Sequence, residues 1–98
     1  MYSVQFTKAA KKDAVNVVRG GFKPRVDKII EAVEINPFEV SLGFEELVGG
    51  YKGAYSRRIN RKHRFVYEVL PNTDNLLNAD GEPYTGIVKV ISMWTHYE

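Results

Sequence analysis

The sequence predicts an α+β domain in which two N-terminal helices pack on one face of a mainly antiparallel, four-stranded sheet. Three observations carry this expectation. An alternating, β-branched and aromatic segment opens the chain; two segments with helical apolar spacing follow it; three further β-rich segments come after those, giving the order β-α-α-β-β-β. At 98 residues, with 44% apolar and 27% charged side chains, the chain has room for one domain spanning residues 1–98. A chain this short buries only about 65% of its unfolded surface, so its core is thin and a partner would add stability.

Tyr2 to Phe6 alternates side chains and suits a first strand. Thr7 is placed to cap a helix running to about Arg19, in which Ala10, Ala14, Val17 and Val18 fall on one face, and Gly20-Gly21 ends it. Pro24 suits a first helical turn, after which Val26, Ile29, Ile30 and Val33 recur at i, i+3, i+4 and i+7 up to Asn36-Pro37. Residues 38–53, with Gly43, Gly49, Gly50 and Gly53, read as a loop. Ala54 to Ile59 and His63 to Leu70 are β-rich runs joined by Asn60-Arg61-Lys62, the length of a tight hairpin. Pro71 to Thr85, with three Asn, two Asp and two Pro, reads as a surface loop. Ile87 to Trp94 is the strongest strand signal in the chain.

Composition removes several functions. With no cysteine there is no disulfide framework, thiolate zinc site or cysteine nucleophile, and a reducing cytoplasm is the expected compartment. The opening Met1 to Phe6 is too short for a secretory signal, and no apolar run approaches the ~20 residues of a membrane span. No Walker loop, metal-ligand cluster or Ser-His-Asp arrangement is present, so neither metal nor cofactor is expected.

The net charge of +2 conceals a segregated distribution. Residues 1–25 hold six Lys or Arg and one acid, whereas residues 26–48 hold six acids and the single Lys28. Between Lys52 and Arg64 there are six basic side chains and no acid, with Tyr55, Phe65 and Tyr67 interleaved or adjacent. Such a stretch is either an anion-binding footprint or the solvated surface of a hairpin. Arg58 and Arg64 distinguish the two. Around a three-residue loop they sit opposite each other on one sheet face, where two guanidinium forks could grip one phosphate; around a two-residue turn they point to opposite faces. Arg57 and Arg61 read more readily as surface arginines, His63 has no obvious partner, and Phe65, Tyr67 and Trp94 read as core.

The run from Gly53 to Tyr67 (GAYSRRINRKHRFVY), preceded by Phe44-Glu45-Glu46-Leu47 and closed by Thr95-His96-Tyr97, resembles the YoeB/Txe toxins of the RelE superfamily. The resemblance covers most of the chain; the Pro71 to Thr85 loop is longer than is usual in that family, and Glu98 extends past the terminal tyrosine. It implies a RelE-like microbial-RNase fold and ribosome-dependent endonucleolytic cleavage of mRNA, with an antitoxin of the YefM/Axe type as partner and a homodimer left open. By position, Glu45 matches the family's catalytic glutamate, Arg58 and Arg64 its phosphate-binding arginines, and His96 and Tyr97 its terminal catalytic pair; Arg64, at the expected scissile phosphate, is counted with the catalytic residues, and Arg57 and Lys52 of the basic run are added as RNA-binding cations. Such roles suit the residue types. A carboxylate beside a basic cluster stays ionised and can accept a ribose 2′-OH proton, with Glu46 as the competing choice. Histidine is the usual general acid at neutral pH, and Tyr97 offers a ring for stacking an unpaired base. A non-catalytic binding toxin of the same fold, or a plain RNA-binding module, would need the arginines without the acid-base pair.

Overall fold

The computed structural model describes residues 1–48 and 53–94. The elements are β1 (Tyr2–Phe6), α1 (Lys8–Arg19), α2 (Lys23–Ile35), β2 (Glu45–Glu46), β3 (Ala54–Arg58), β4 (Arg64–Pro71) and β5 (Gly86–Ser92). They form one sheet in the order β1-β5-β4-β3-β2, in which only the β1-β5 pair is parallel.

Each helix begins and ends where local chemistry dictates. The Thr7 hydroxyl accepts from the Ala10 N–H (3.1 Å), satisfying one of the orphan donors of α1, and donates to the Ile91 carbonyl (3.0 Å). At the far end, Phe22 N–H reaches Val17 O (2.9 Å) and Gly21 N–H reaches Val18 O (3.1 Å), with Gly21 at φ +80°, the paired bonds of a glycine C-cap. Helix α2 starts at Lys23-Pro24 and stops at Asn36, whose side chain accepts from Phe38 N–H (3.0 Å) and turns the chain.

Alternation along the strands gives the sheet two different faces. Val4, Val88, Val90, Phe65 and Tyr67 meet Ala10, Val17, Val26, Ile29 and Val33 of the helices in a single core. The two helices thus cover one face, as the sequence predicts. Between Tyr67↔Val90 and Val66↔Ser92 the β4-β5 ladder slips by one residue of β5. The Ile91 carbonyl at this bulge is the one that takes the Thr7 hydroxyl. Met93, beyond the strand, is 2% exposed and belongs to the core.

Three expectations change in detail. The segment expected as a loop contributes β2, so the sheet has five strands; two residues are too few for periodicity to reveal, and the pairing Glu45↔Ser56 and Glu46↔Tyr55 is supplied by β3. The last strand stops at Ser92, because Met93 and Trp94 turn into the core. The 71–85 loop has internal order: Asn72 bonds Leu76 and Tyr84, Asn78 accepts from Asp80 and Glu82, and Leu77 bridges Pro83.

Ile29 is fully buried whereas Ile35, on the same helix, is 72% exposed. Ile29→Ala should therefore destabilise the protein by roughly 2–5 kcal/mol and Ile35→Ala by under about 0.5 kcal/mol, as read from urea unfolding.

Candidate functional site: a hairpin of arginines gripped by one loop

The β3-β4 hairpin is closed by Asn60, whose Oδ1 accepts from the Lys62 (2.9 Å) and His63 (2.6 Å) backbone amides. This turn sets a register in which Arg58 faces Arg64, Arg57 faces Phe65 and Ser56 faces Val66. Directly opposed residues share a face. Arg58 and Arg64 therefore lie together on the sheet face that the helices leave open, and Arg57 points the other way.

Arg57 is the main correction to the expected set of phosphate-binding residues. Its side chain is fully buried. Nη1 donates to Ser41 O (2.7 Å) and Ser41 Oγ (3.1 Å), Nη2 to Asn36 O (3.5 Å), and Nε to Tyr67 Oη (3.2 Å), while the guanidinium carbon sits 4.9 Å from the Phe44 ring centre. With its donors turned inward onto protein acceptors, it holds the segment after α2 against β3. Tyr67 completes this cluster by donating to Pro37 O (2.6 Å).

The next two residues of that segment grip the other two arginines. Leu42 O accepts from Arg58 N–H (2.9 Å), and Gly43 O accepts from Arg64 Nη2. Arg64 Nε donates to Ser56 Oγ (2.7 Å). Arg25 of α2 donates through Nε to Arg58 O (2.9 Å), tying the hairpin to the helix layer. Thus Arg64 is half-buried and aimed, whereas the Arg58 side chain is exposed.

Glu45 joins them. Because Glu45 pairs with Ser56 and Glu46 with Tyr55, alternation places Glu45 on the open face and Glu46 on the other. Glu45 Oε2 is 3.7 Å from Arg64 Nη2, and its side chain is 58% exposed. Of the two carboxylates left open by the sequence, only Glu45 shares a face with both arginines. The site therefore presents two guanidinium groups and one solvent-accessible carboxylate, enough to hold a phosphodiester and receive a proton from a neighbouring hydroxyl. Lys52, His96 and Tyr97 lie outside the described residues. Among the described residues, no group of three or more His, Cys, Asp or Glu could hold a metal ion, and no helix is long and apolar enough to cross a membrane.

His63 differs from its expectation of standing without a partner. It is 5% exposed and stacks on Trp94, ring centres 3.6 Å apart and planes 14° from parallel. The sequence also assigned no role at the site to Ser41, Gly43 or Ser56. Their contribution depends on a carbonyl or hydroxyl brought beside an arginine from a distant segment, which residue type alone does not signal; Gly43 offered the one hint.

The site defines a small two-layer α+β domain whose open face carries an anion-binding pair of arginines beside a carboxylate. The profile of the YoeB-like toxins of bacterial type II toxin–antitoxin systems matches residues 20–97, and the chain belongs to that family. Among solved structures, a YoeB/ParE toxin from Agrobacterium tumefaciens is 26% identical, with a TM-score of 0.73 over 97% of this chain and 99% of that one. A YoeB-YefM complex from Staphylococcus aureus has a chain 22% identical, with a TM-score of 0.70 over 99% of each. A YoeB dimer from the same organism is 23% identical, with a TM-score of 0.68 over 98% of each. No curated protein matches the sequence.

Gly43 has φ +71°, and a Cβ there would lie 2.7 Å from Arg58 Cβ; Gly81 has φ +79° with open space around it. Gly81→Ala should cost about 1–2 kcal/mol, the backbone penalty alone, and Gly43→Ala clearly more, as measured by urea unfolding. Burial raises the Tyr67 pKa above 10.0; the hydrogen bond and charge of Arg57 offset part of the rise, and Tyr55 adds a little to it. The fold thus favours the neutral phenol, a stability contribution present below pH 10 and lost as pH climbs through the raised value. Tyr67→Phe should flatten the alkaline limb of the stability–pH curve, checked by urea midpoints between pH 8 and 11.

Proposed function

We propose that this toxin is a ribosome-dependent endoribonuclease that cuts mRNA in the ribosomal A site without a metal ion. The observation that carries this reading is Glu45 beside Arg64, 3.7 Å apart, on a face shared with Arg58. A carboxylate alone would be an ordinary surface acid and arginines alone a binding patch. Together they supply a proton acceptor and the positive charge that a pentacoordinate phosphorane requires.

In this reading the Glu45 carboxylate takes the proton from a ribose 2′-OH. The freed oxygen attacks the adjacent phosphorus, and the bond to the 5′-oxygen of the next nucleotide breaks. His96 gives that leaving oxygen its proton, leaving a 2′,3′-cyclic phosphate on one fragment and a 5′-hydroxyl on the other. Arg64, held by Ser56 and Gly43, meets the phosphorane charge with little reorganisation, and the exposed Arg58 closes on the same phosphate. Tyr97 stacks the unpaired base, and Lys52 adds to the field that attracts RNA. A domain of 98 residues is too small to grip a long RNA unaided, so the ribosome positions the substrate.

The partner in this reading is an antitoxin. One Staphylococcus aureus relative is described as a YoeB-YefM complex and another as a YoeB dimer, which supports an antitoxin of the YefM kind and a dimer in its absence. An acidic segment that pairs with Arg58 and Arg64 and covers the terminus would silence the toxin in the cytoplasm.

End-labelled mRNA on programmed ribosomes tests the reading directly. Wild type should cut ribosome-bound mRNA far faster than naked mRNA, and Arg64→Ala should lose roughly a hundredfold in rate, by analogy with removing one oxyanion-stabilising donor. Arg61→Ala should lose much less, with a loss that shrinks as salt rises, because Arg61 is exposed. His96→Gln separates an enzyme from a binding toxin: a protein that still arrests growth and translation after that change is a binder.

A further inference from the structure

Two residues beyond β5, the chain is held from three directions, and none of these contacts belongs to the arginine site. Met93 N–H donates to the Asp13 carboxylate of α1 (3.0 Å), a bond in the buried interior, with Asp13 6% exposed. The Trp94 ring stacks on His63 of the hairpin and lies against Phe22, 6.1 Å between ring centres, in the turn between the helices. Gly20 leaves just enough room for this, since a Cβ there would sit 3.1 Å from the edge of the Trp94 ring and 2.9 Å from Phe22.

His63 is itself fixed. Its N–H is bonded to Asn60 Oδ1, and its carbonyl accepts from both Ile59 N–H (3.0 Å) and Asn60 N–H (3.2 Å). The residue after it is Arg64. One peptide of the hairpin therefore carries both the ring that seats Trp94 and the guanidinium beside Glu45. Beyond β5, the residue seated, Trp94, is two positions before His96 and three before Tyr97 in the sequence.

We propose that Asp13, His63 and Trp94 are positioning residues that set where the chain carrying His96 and Tyr97 departs relative to Arg64 and Glu45. This rests on the nuclease reading above. The stack acts as a spacer between two strand ends, and the Asp13 bond fixes the backbone one residue before it. General acids work only at hydrogen-bond range, and a displacement of about 1 Å of a reacting group can cost on the order of a hundredfold in rate. The flat stack gives the contact a defined ring-on-ring geometry in addition to the burial of both side chains. Asp13 sits buried on α1, in the helix layer, so it acts on catalysis from the side of the sheet opposite the arginine face.

The test measures cleavage of end-labelled mRNA on programmed ribosomes, with thermal unfolding in parallel, for Trp94→Ala, Trp94→Phe, His63→Ala, the His63→Ala/Trp94→Ala pair, Asp13→Ala and Asp13→Asn. The expected result is a fall in kcat of tenfold or more for Trp94→Ala with KM nearly unchanged, since the cationic face is intact. Trp94→Phe should recover most of that loss, and Asp13→Asn, which keeps an acceptor for Met93 N–H, should recover part of the loss seen in Asp13→Ala. The double variant should be no worse than the poorer single, because both remove one stack. Assays well below each variant's unfolding midpoint keep folded protein in all of them. Losses that track the unfolded fraction, that fall on KM instead, or that add in the double variant would overturn the inference while leaving the nuclease reading intact. Absence of cleavage by wild type would overturn both.

Discussion

A guanidinium withdrawn from water costs several kcal/mol unless its donors find partners, and the way Arg57 meets that demand organises the functional half of this molecule. Its partners are two carbonyls and a hydroxyl from the stretch after α2 and the phenol of Tyr67 on the neighbouring strand. Satisfying it draws Asn36 through Ser41 onto the hairpin. With Ser41 fixed, Leu42 and Gly43 have nowhere to lie except along Arg58 and Arg64. Three consecutive loop residues thus hold the three arginines. The short strand β2 follows as an extension of the same approach, and it brings Glu45 to the site.

This arrangement also explains how adjacent arginines come to differ so completely. Arg57 and Arg58 are neighbours in sequence, yet strand alternation sends one into the interior and the other to solvent. The inward arginine sets the shape of the loop, and the outward one is left for an anion. Ser56, buried beneath Arg64, does for the second guanidinium what Ser41 does for the first. A cationic face built this way is preorganised: Arg64 is aimed by neutral acceptors that do not cancel its charge, and Glu45 lies at the loose end of the contact range.

Much of the scaffold could be read before any coordinates. Thr7, Gly21 and Pro24 mark helix ends by chemistry that operates within a few residues, and the apolar spacing of Val26, Ile29 and Val33 reports the buried stripe of α2 directly. For Arg58 and Arg64 the sequence left two arrangements, set by loop length, and the register Arg58↔Arg64 selects the one in which they share a face. What the sequence withheld was set by contacts distant along the chain. Nothing around Glu45-Glu46 announces a strand, since its partners Ser56 and Tyr55 lie eleven and nine positions further along the chain. Arg57 resembled a surface cation because burial of a charge is visible only with its acceptors in place. His63 looked partnerless for the same reason, its ring mate lying near the other end of the chain.

The parallel pairing of β1 with β5 has a consequence for how the molecule comes into being. β5 occupies an interior position in the sheet, between β1 and β4, although it follows every other strand in the chain. During synthesis the hairpin of arginines emerges before β5, and β1 and the two helices have no sheet to rest on until Gly86 to Ser92 arrives to join the halves. Contacts of such long sequence separation make assembly slow and late. A nascent or interrupted chain therefore carries the cationic hairpin without the layer that shapes it, so the order of the strands leaves the arginine face incomplete until the last strand has been translated.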